Sequence, residues 1–522
     1  MTLTGADLLS GPRGRRLCLE LALMPPSEPS AAAEEFSHAV FYASYNLDPG
    51  RGMSRVLFGP GADEPTPTPS PAEVASLLDE VPLPRRDEAT LLSALAVAVE
   101  SAMYWQPPSG EDVLAATPDV RSALTRVADA VASAVGAAWW SDPVDRQEQW
   151  AVTFEDVTGA GPMPEESAQK ILDRWLPLQL EEEAVAQRER PADPAASWSG
   201  SWWSRPALGL TTTTRALPGR GPMGLGFVED GLGWEAATVE QVQVPVDSRV
   251  FEIDGPAAWA ELVRRYPLDV SAGRRHDWYS VTGRSGSWAI PDWSAVRRDF
   301  DAVHLTIGGY LTTAGRAIPV DDERSTVLAG WDPDSTYWLR DLVRDASTHR
   351  DWHLDRLDDL WKPTMAMAVV RDYASGDATT TLDIFLDAVT VTASIDYSPA
   401  QIAAWAGPQD REIGAWDSAR AQCGTVVAIL DGEIAGFSDV NADGYIHMLF
   451  VSPRFGRRGV ASALIAAVEQ RAQRLGATSL STNASITARP FFEQHGFVVV
   501  AEQHPITRGV SMTNYRMLKE LP

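Results

Sequence analysis

Residues 449–462, LFVSPRFGRRGVAS, set an apolar run, two glycines and two arginines directly before a helix-forming segment. Gly456 and Gly459 let a backbone approach a ligand closely. The first N–H groups of a helix have no intrahelical acceptor, and the helix dipole favours an anion there. Arg457 and Arg458 add positive charge. The loop is therefore suited to a pyrophosphate, with the amides of Arg457, Arg458, Gly459, Val460, Ala461 and Ser462 as donors; a plain strand-to-helix turn has the same pattern. His447 stands two residues before Leu449 and, at period two, on its face. An imidazole with an ordinary pKa near 6.5 suits a general base, although a strand histidine held by a neighbour is the plainer alternative. Asp439 and Tyr445 are further candidates for proton transfer. Ser485 and Thr487 either orient a substrate or cap the segment ITARPFF.

The elements that must position these residues follow from the same stretch. TVVAIL and EIAGFSDV flank Asp431-Gly432, a favoured hairpin turn. Asp443-Gly444 makes a second turn, and YIHMLFV is a third strand ended by Pro453. ASALIAAVEQRAQRLG carries apolar residues at helical spacing and stops at Gly476. TSLSTNAS is a strand, ITARPFFEQHGF a helix ending at Gly496, and FVVVAEQ a strand.

This order, strand, RxGVA loop, helix, strand, helix, GF, strand, resembles the GNAT superfamily of N-acetyltransferases over about residues 366–520. The wording is similar to its YafP-like branch in DYSPAQIAAWA (Asp396–Ala406), DGEIAGFSDV, GYIHMLFV, RRGVASAL, NASITARPFFEQHGF and GVSMTNYRM. The resemblance implies a mixed central sheet flanked by helices, acetyl-CoA as co-substrate without a metal, and a primary amine as acceptor. It implies that Leu449, Phe450 and Val451 run along the pantetheine arm; such domains often dimerise, which leaves a homodimer open beside a monomer. The family's phosphate motif reads Gln/Arg-x-x-Gly-x-Gly/Ala; Gly459 and Ala461 match, whereas Gly456 stands at its first position. That departure removes a side chain but no backbone donor. The tyrosine that often protonates the leaving thiolate is matched by Phe492, which cannot donate. Both departures keep open the alternative of an acetyl-CoA sensor with weak turnover.

The chain has 522 residues and a net charge of −27. Residues 365–522 hold 12 Lys and Arg against 16 Asp and Glu, so most of the acidity, 32 against 55, falls on residues 1–364. Such a surface disfavours nucleic acid and anionic membranes and leaves solubility or a cationic amine as its use. Arg13, Arg15 and Arg16 before LCLELALM loosely imitate a secretion signal, but Glu20 interrupts the short apolar run, which reads as an edge strand or early helix. Two cysteines, Cys18 and Cys423, provide no disulfide framework and no zinc spacing, and a reducing cytoplasm is the simplest location.

Composition divides the chain into a helix-rich acidic region (1–190), a Trp- and Gly-rich α+β domain (198–345), a helical connector (346–364) and the C-terminal domain (365–522), a multidomain α/β and α+β protein. The seams are the proline-rich stretch Gly59–Glu73, the segment Glu181–Ser197 and WKPTM at Trp361–Met365. Seventeen of the 19 tryptophans precede residue 364, and Trp139-Trp140 and Trp202-Trp203 suit either a ligand pocket or a core. The aromatic segment His276–Trp293 reads as a long loop, with His276, Asp277, Arg284 and His304 as polar candidates matching no catalytic spacing.

Overall fold

The computed structural model describes residues 3–25, 30–50, 67–155, 166–231, 233–356, 358–364, 368–408 and 412–521. The chain forms two compact units, Met1–Thr364 and Met365–Pro522.

In the first unit, helices through residue 132 precede an eight-stranded sheet. The expected boundary between 1–190 and 198–345 is absent from this architecture. Strand Gln149–Phe154 pairs with both Thr212–Thr214 and Ala236–Gln243, and one apolar core runs from Leu3 to Leu339. Composition changes near Trp198 because helices give way to strands around that shared core. Helix Pro12–Leu23, the segment that imitates a signal, buries Leu17, Cys18, Leu19 and Leu21. Its N-terminal Gly11 lies so close to the Ile307–Thr313 helix that a Cβ would stand 2.2 Å from the Leu311 carbonyl oxygen. Of the seam Gly59–Glu73, residues 59–66 lie outside the described residues, and a helix begins at Pro71 behind a Ser70–Glu73 capping box.

Two further expectations are corrected. The connector 346–364 is a β-hairpin: Val343–Asp355 pairs with Leu360–Pro363, Leu354 opposite Trp361, and Asp359 turns the chain at φ 56°. Trp352 and Trp361 pack on Ala237 and Val239, so a two-residue alternation decides the element where widely spaced apolar residues had suggested a helix. His276–Trp293 is not a loop but the end of helix Ser271–Thr282, a turn at Gly283, and strand Ser287–Pro291. Trp278, Trp288 and Trp293 are fully buried there, as are Trp140, Trp259, Trp331 and Trp338 elsewhere, so these tryptophans are core.

The second unit runs β1 (Val369–Asp372), α1 (Ala378–Asp387), α2 (Pro399–Ala406), α3 (Ile413–Gln422), β2 (Val426–Leu430), β3 (Glu433–Ser438), β4 (Tyr445–Ile446), β5 (Leu449–Val451), α4 (Val460–Arg474), β6 (Ser479–Ser485), α5 (Arg489–Gln494), β7 (Val498–Gln503), β8 (Ile506–Thr507), β9 (Val510–Ser511) and β10 (Asn514–Glu520). Its strands form two four-stranded sheets, β1-β2-β3-β5 and β4-β6-β10-β7, with β8-β9 a short hairpin. Asp431 and Gly432 both take positive φ at the β2–β3 turn, as the Asp-Gly pair demands. The stretch Ser375–Ile395 is long and apolar enough to cross a membrane by length and composition alone; in the fold Leu382, Ile384 and Phe385 bury beside Trp416 and Phe437.

Candidate active site

The site is built where one extended segment changes partner. β4 pairs with β6 in parallel, whereas β5, three residues on, pairs with β3 antiparallel. The two sheets part at His447 and Met448. Asp439 holds this point: its Oδ1 accepts the backbone N–H of His447 (2.8 Å) and of Met448 (2.9 Å), and its Oδ2 accepts from Arg420 Nη1 (2.6 Å). Asp439 is 1% exposed and Arg420 3%. Both carboxylate oxygens are thus engaged by the protein, and this makes Asp439 a positioning group rather than the base considered from sequence.

The parting leaves one edge of β5 without a strand. Met448 C=O accepts from Asp439 N–H and Ser452 N–H donates to Ala435 C=O, so these residues point their peptide groups at β3. By alternation Leu449 and Val451 point theirs into the opening. An extended amide-bearing chain laid there would find free donors and acceptors.

The loop after β5 supplies the second part. Gly459 caps α4 with φ 74°, and among the described residues nothing lies within 4 Å of where its Cβ would stand. Arg457, at φ 61°, is also left-handed, a conformation a side chain adopts at a cost. Alternation of left-handed residues about Arg458 turns successive N–H groups to one side, an anion-holding concavity. The first amide to reach a backbone carbonyl is that of Ala463, on Gly459 C=O (2.9 Å); among the described residues the amides of Arg457–Ser462 have no recorded acceptor. Arg458 pairs with Asp431 (2.7 Å) at the surface, while Arg457 is exposed. Gly436 on β3 is needed for α4 to sit this close, since a Cβ there would meet Phe450 carbonyl oxygen at 2.8 Å and Val460 at 3.0 Å.

The third part is a cavity of about 260 Å³ at the parting, walled by His447–Phe450 of the central segment, Thr482–Ser485 of β6, and Phe385, Tyr397, Trp405 and Phe492. Among the described residues no Asp, Glu, Lys or Arg lines it. His447 is exposed at its edge, 6.3 Å between ring centroids from Tyr445, and its ring nitrogens have no recorded protein partner among the described residues. Tyr445 itself does not line the cavity; its hydroxyl accepts from Asn483 Nδ2 (3.2 Å). Ser485 lines it, but its Oγ accepts the N–H of Ala488 (3.1 Å), a cap before α5. Thr487 lies outside, donating to Asp396 Oδ2 (2.7 Å). Phe492 is buried against Phe497 and provides no proton.

Three residues escaped the sequence reading. Tyr397 donates to Thr513 C=O (2.6 Å) and accepts the N–H of Ile486 (2.9 Å), closing the far end of the cavity; burial raises its pKa. Asn514 also lines the cavity, and its buried Oδ1 has no partner among the described residues. His495 joins the two helices beside the anion loop: Nδ1–H donates to Phe491 C=O (2.9 Å), which makes Nε2 the acceptor for Ser462 O–H (3.1 Å). Tyr397 lay within DYSPAQIAAWA and His495 within FFEQHGF, but no spacing rule distinguishes them from core residues. Among the described residues no group of three or more His, Cys, Asp and Glu is arranged to hold a metal ion.

A family model described as an acetyltransferase (GNAT) domain matches residues 394–519. An uncharacterized N-acetyltransferase, YafP, from Escherichia coli (strain K12) is 41% identical over 148 residues, 28% of this chain and 93% of that protein. Among solved structures, a GCN5-related N-acetyltransferase from Rhodopseudomonas palustris is 31% identical, covering 30% of this chain and 98% of its own, with a TM-score of 0.29. The yncA protein from Salmonella typhimurium, solved with its cofactor acetyl-CoA, is 17% identical over 30% of this chain and 94% of its own, with a TM-score of 0.25. The chain belongs, through its second unit, to the GNAT N-acetyltransferase family.

Proposed function

We propose that the protein transfers an acetyl group from acetyl-CoA to the primary amine of a small molecule bound in the second unit. The observation that carries this reading is the alignment of three features along one segment: an uncharged cavity at the parting of His447 and Met448, a strand edge at Leu449 and Val451, and an amide cradle at Arg457–Ser462. The cradle would hold the pyrophosphate, and the strand edge the pantetheine amides. The amine nitrogen attacks the thioester carbon, the C–S bond breaks, and the thiolate departs with the electron pair. The proton shed by the amine passes to His447 or to water beside it. With Phe492 at the wall, the thiolate leaves without an acid.

The cavity lining narrows the acceptor. An ammonium ion entering a partly enclosed site without a counter-charge is disfavoured relative to the neutral amine, and the neutral amine is the nucleophile. Trp405, Tyr397, Phe385 and Phe492 offer faces to a planar or apolar body. This supports arylamines and weakly basic amines over the polycations that the acidic composition suggested. The test is release of free thiol by the full chain with acetyl-CoA and a panel of amines. Amine-dependent release, fastest with aromatic amines, supports the reading. Cofactor binding without release from any amine would favour the sensor reading, to which Phe492 lends support.

A further inference from the structure

The arginines that precede LCLELALM have no part in the second unit, yet the fold gathers them. Arg13, Arg15 and Arg16 line a cavity of about 500 Å³ in the first unit, with Tyr104, Glu111 and Asp112. Its remaining wall is largely apolar, including Met103, Val113, Ala116 and Val281. In a unit so rich in acid, the pairing of these cations is uneven. Arg13 is bound to Asp112 and to Ala98 C=O, and Arg16 Nε donates to Glu20 (2.5 Å), with Glu111 and Asp112 at 3.8 Å from its Nη1. Arg15 has no carboxylate within 4 Å among the described residues; its Nη1 donates to the carbonyls of Leu9 (3.0 Å) and Ser10 (3.3 Å), and its buried Nε has no partner.

Arg316 reaches the same Ser10 carbonyl (2.9 Å); among the described residues it too has no carboxylate within 4 Å, and its buried Nε has no partner. Two guanidinium groups thus converge on one carbonyl oxygen with no counter-ion between them. Burial pulls the Arg15 pKa down to about 10, opposed by the charge of Asp112 and aided by the like charges of Arg121, Arg13 and Arg316. A half-buried cation with no directly paired carboxylate is further stabilised by an added anion. The Nη2 groups of Arg15 and Arg16 have no recorded protein partner among the described residues and remain available to a ligand. Planar guanidinium forks match carboxylate and phosphate oxygens, and a cavity of this volume takes a small organic molecule.

We infer that this cavity is a binding site for a small organic oxyanion, a carboxylate or phosphate carried on an apolar body, with Arg15 and Arg16 holding the anion and Met103, Val113 and Val281 the body. The inference is independent of the acetyltransferase reading.

The test is titration calorimetry of the full chain with benzoate and with phenyl phosphate, and with benzyl alcohol as the uncharged control. One-to-one binding of either anion, without binding of the alcohol, is expected, and the stronger anion identifies which oxyanion the site prefers. Arg15→Gln should weaken binding at least tenfold, and Arg15→Lys less. Ala116→Trp, at the exposed edge of the cavity, should abolish it with the charges intact and the melting temperature unchanged. Because the amide cradle of the second unit also attracts phosphate, Gly459→Val serves as the counter-control and should leave binding intact. No binding of either anion, or equal affinity in Arg15→Gln and Ala116→Trp, would overturn the inference.

Discussion

Asp439 offers the sharpest test of how the site is held open. Its carboxylate accepts two backbone amides and one guanidinium, all within 3.0 Å, from a position 1% exposed. Hydrogen bonds to a charged acceptor contribute about 1.5–3 kcal/mol, and breaking a buried ion pair by removing one partner costs about 3–5 kcal/mol. Asp439→Ala leaves Arg420 buried and unpaired beside Trp416, and frees the amides of His447 and Met448. Local amide exchange is the suitable assay, because it reports on these residues irrespective of the first unit. Exchange at 447–448 should accelerate by about 10- to 150-fold, the equivalent of 1.5–3 kcal/mol, and acetyl-CoA affinity should fall with it. Asp439→Asn, which retains one carbonyl oxygen, should lose less protection. If exchange were unchanged while the acidic limb of the pH–rate profile disappeared, Asp439 would be the base and the positioning argument would fail.

Three other outcomes are expected. His447→Gln should lower kcat/KM by about 10²-fold near neutral pH and remove the limb assigned to the base, while stability moves by no more than about 0.5 kcal/mol because the ring is exposed. Gly459→Ala forces a side chain into the left-handed region at a cost of about 1–2 kcal/mol; calorimetry should show weaker acetyl-CoA binding, and unaltered affinity would remove the cradle from the reading. In the first unit, burial alone would lower the pKa of His304, but hydrogen bonds to Asp334 and Glu252 and their charges raise it to about 9. Its contribution, about 3 kcal/mol, is complete below the ordinary imidazole pKa near 6.5 and is lost as pH rises through 9. Urea unfolding between pH 6 and 10 should therefore show a decline that His304→Gln flattens.

The anion loop was legible in the sequence because its chemistry is local. Gly459, the residues that begin α4, and the preceding apolar strand are contiguous, and a helix start exposes amides wherever it occurs. The Asp-Gly turns and the element order of the second unit are local in the same sense. What the sequence could not reveal is what the chain brings together from afar. Asp439 differs from any strand-end acid only because Arg420 is folded against it and the sheet parts beside it. Tyr397 and Asn514, more than 100 residues apart, meet only once β10 pairs with β6. In the first unit the sequence shows helices and then strands, but only packing shows that they share one core, since an apolar face does not name its partner. The same holds for Arg15 and Arg316: each is an ordinary arginine in sequence, and the tertiary fold alone sets both on one carbonyl oxygen, with no paired carboxylate among the described residues.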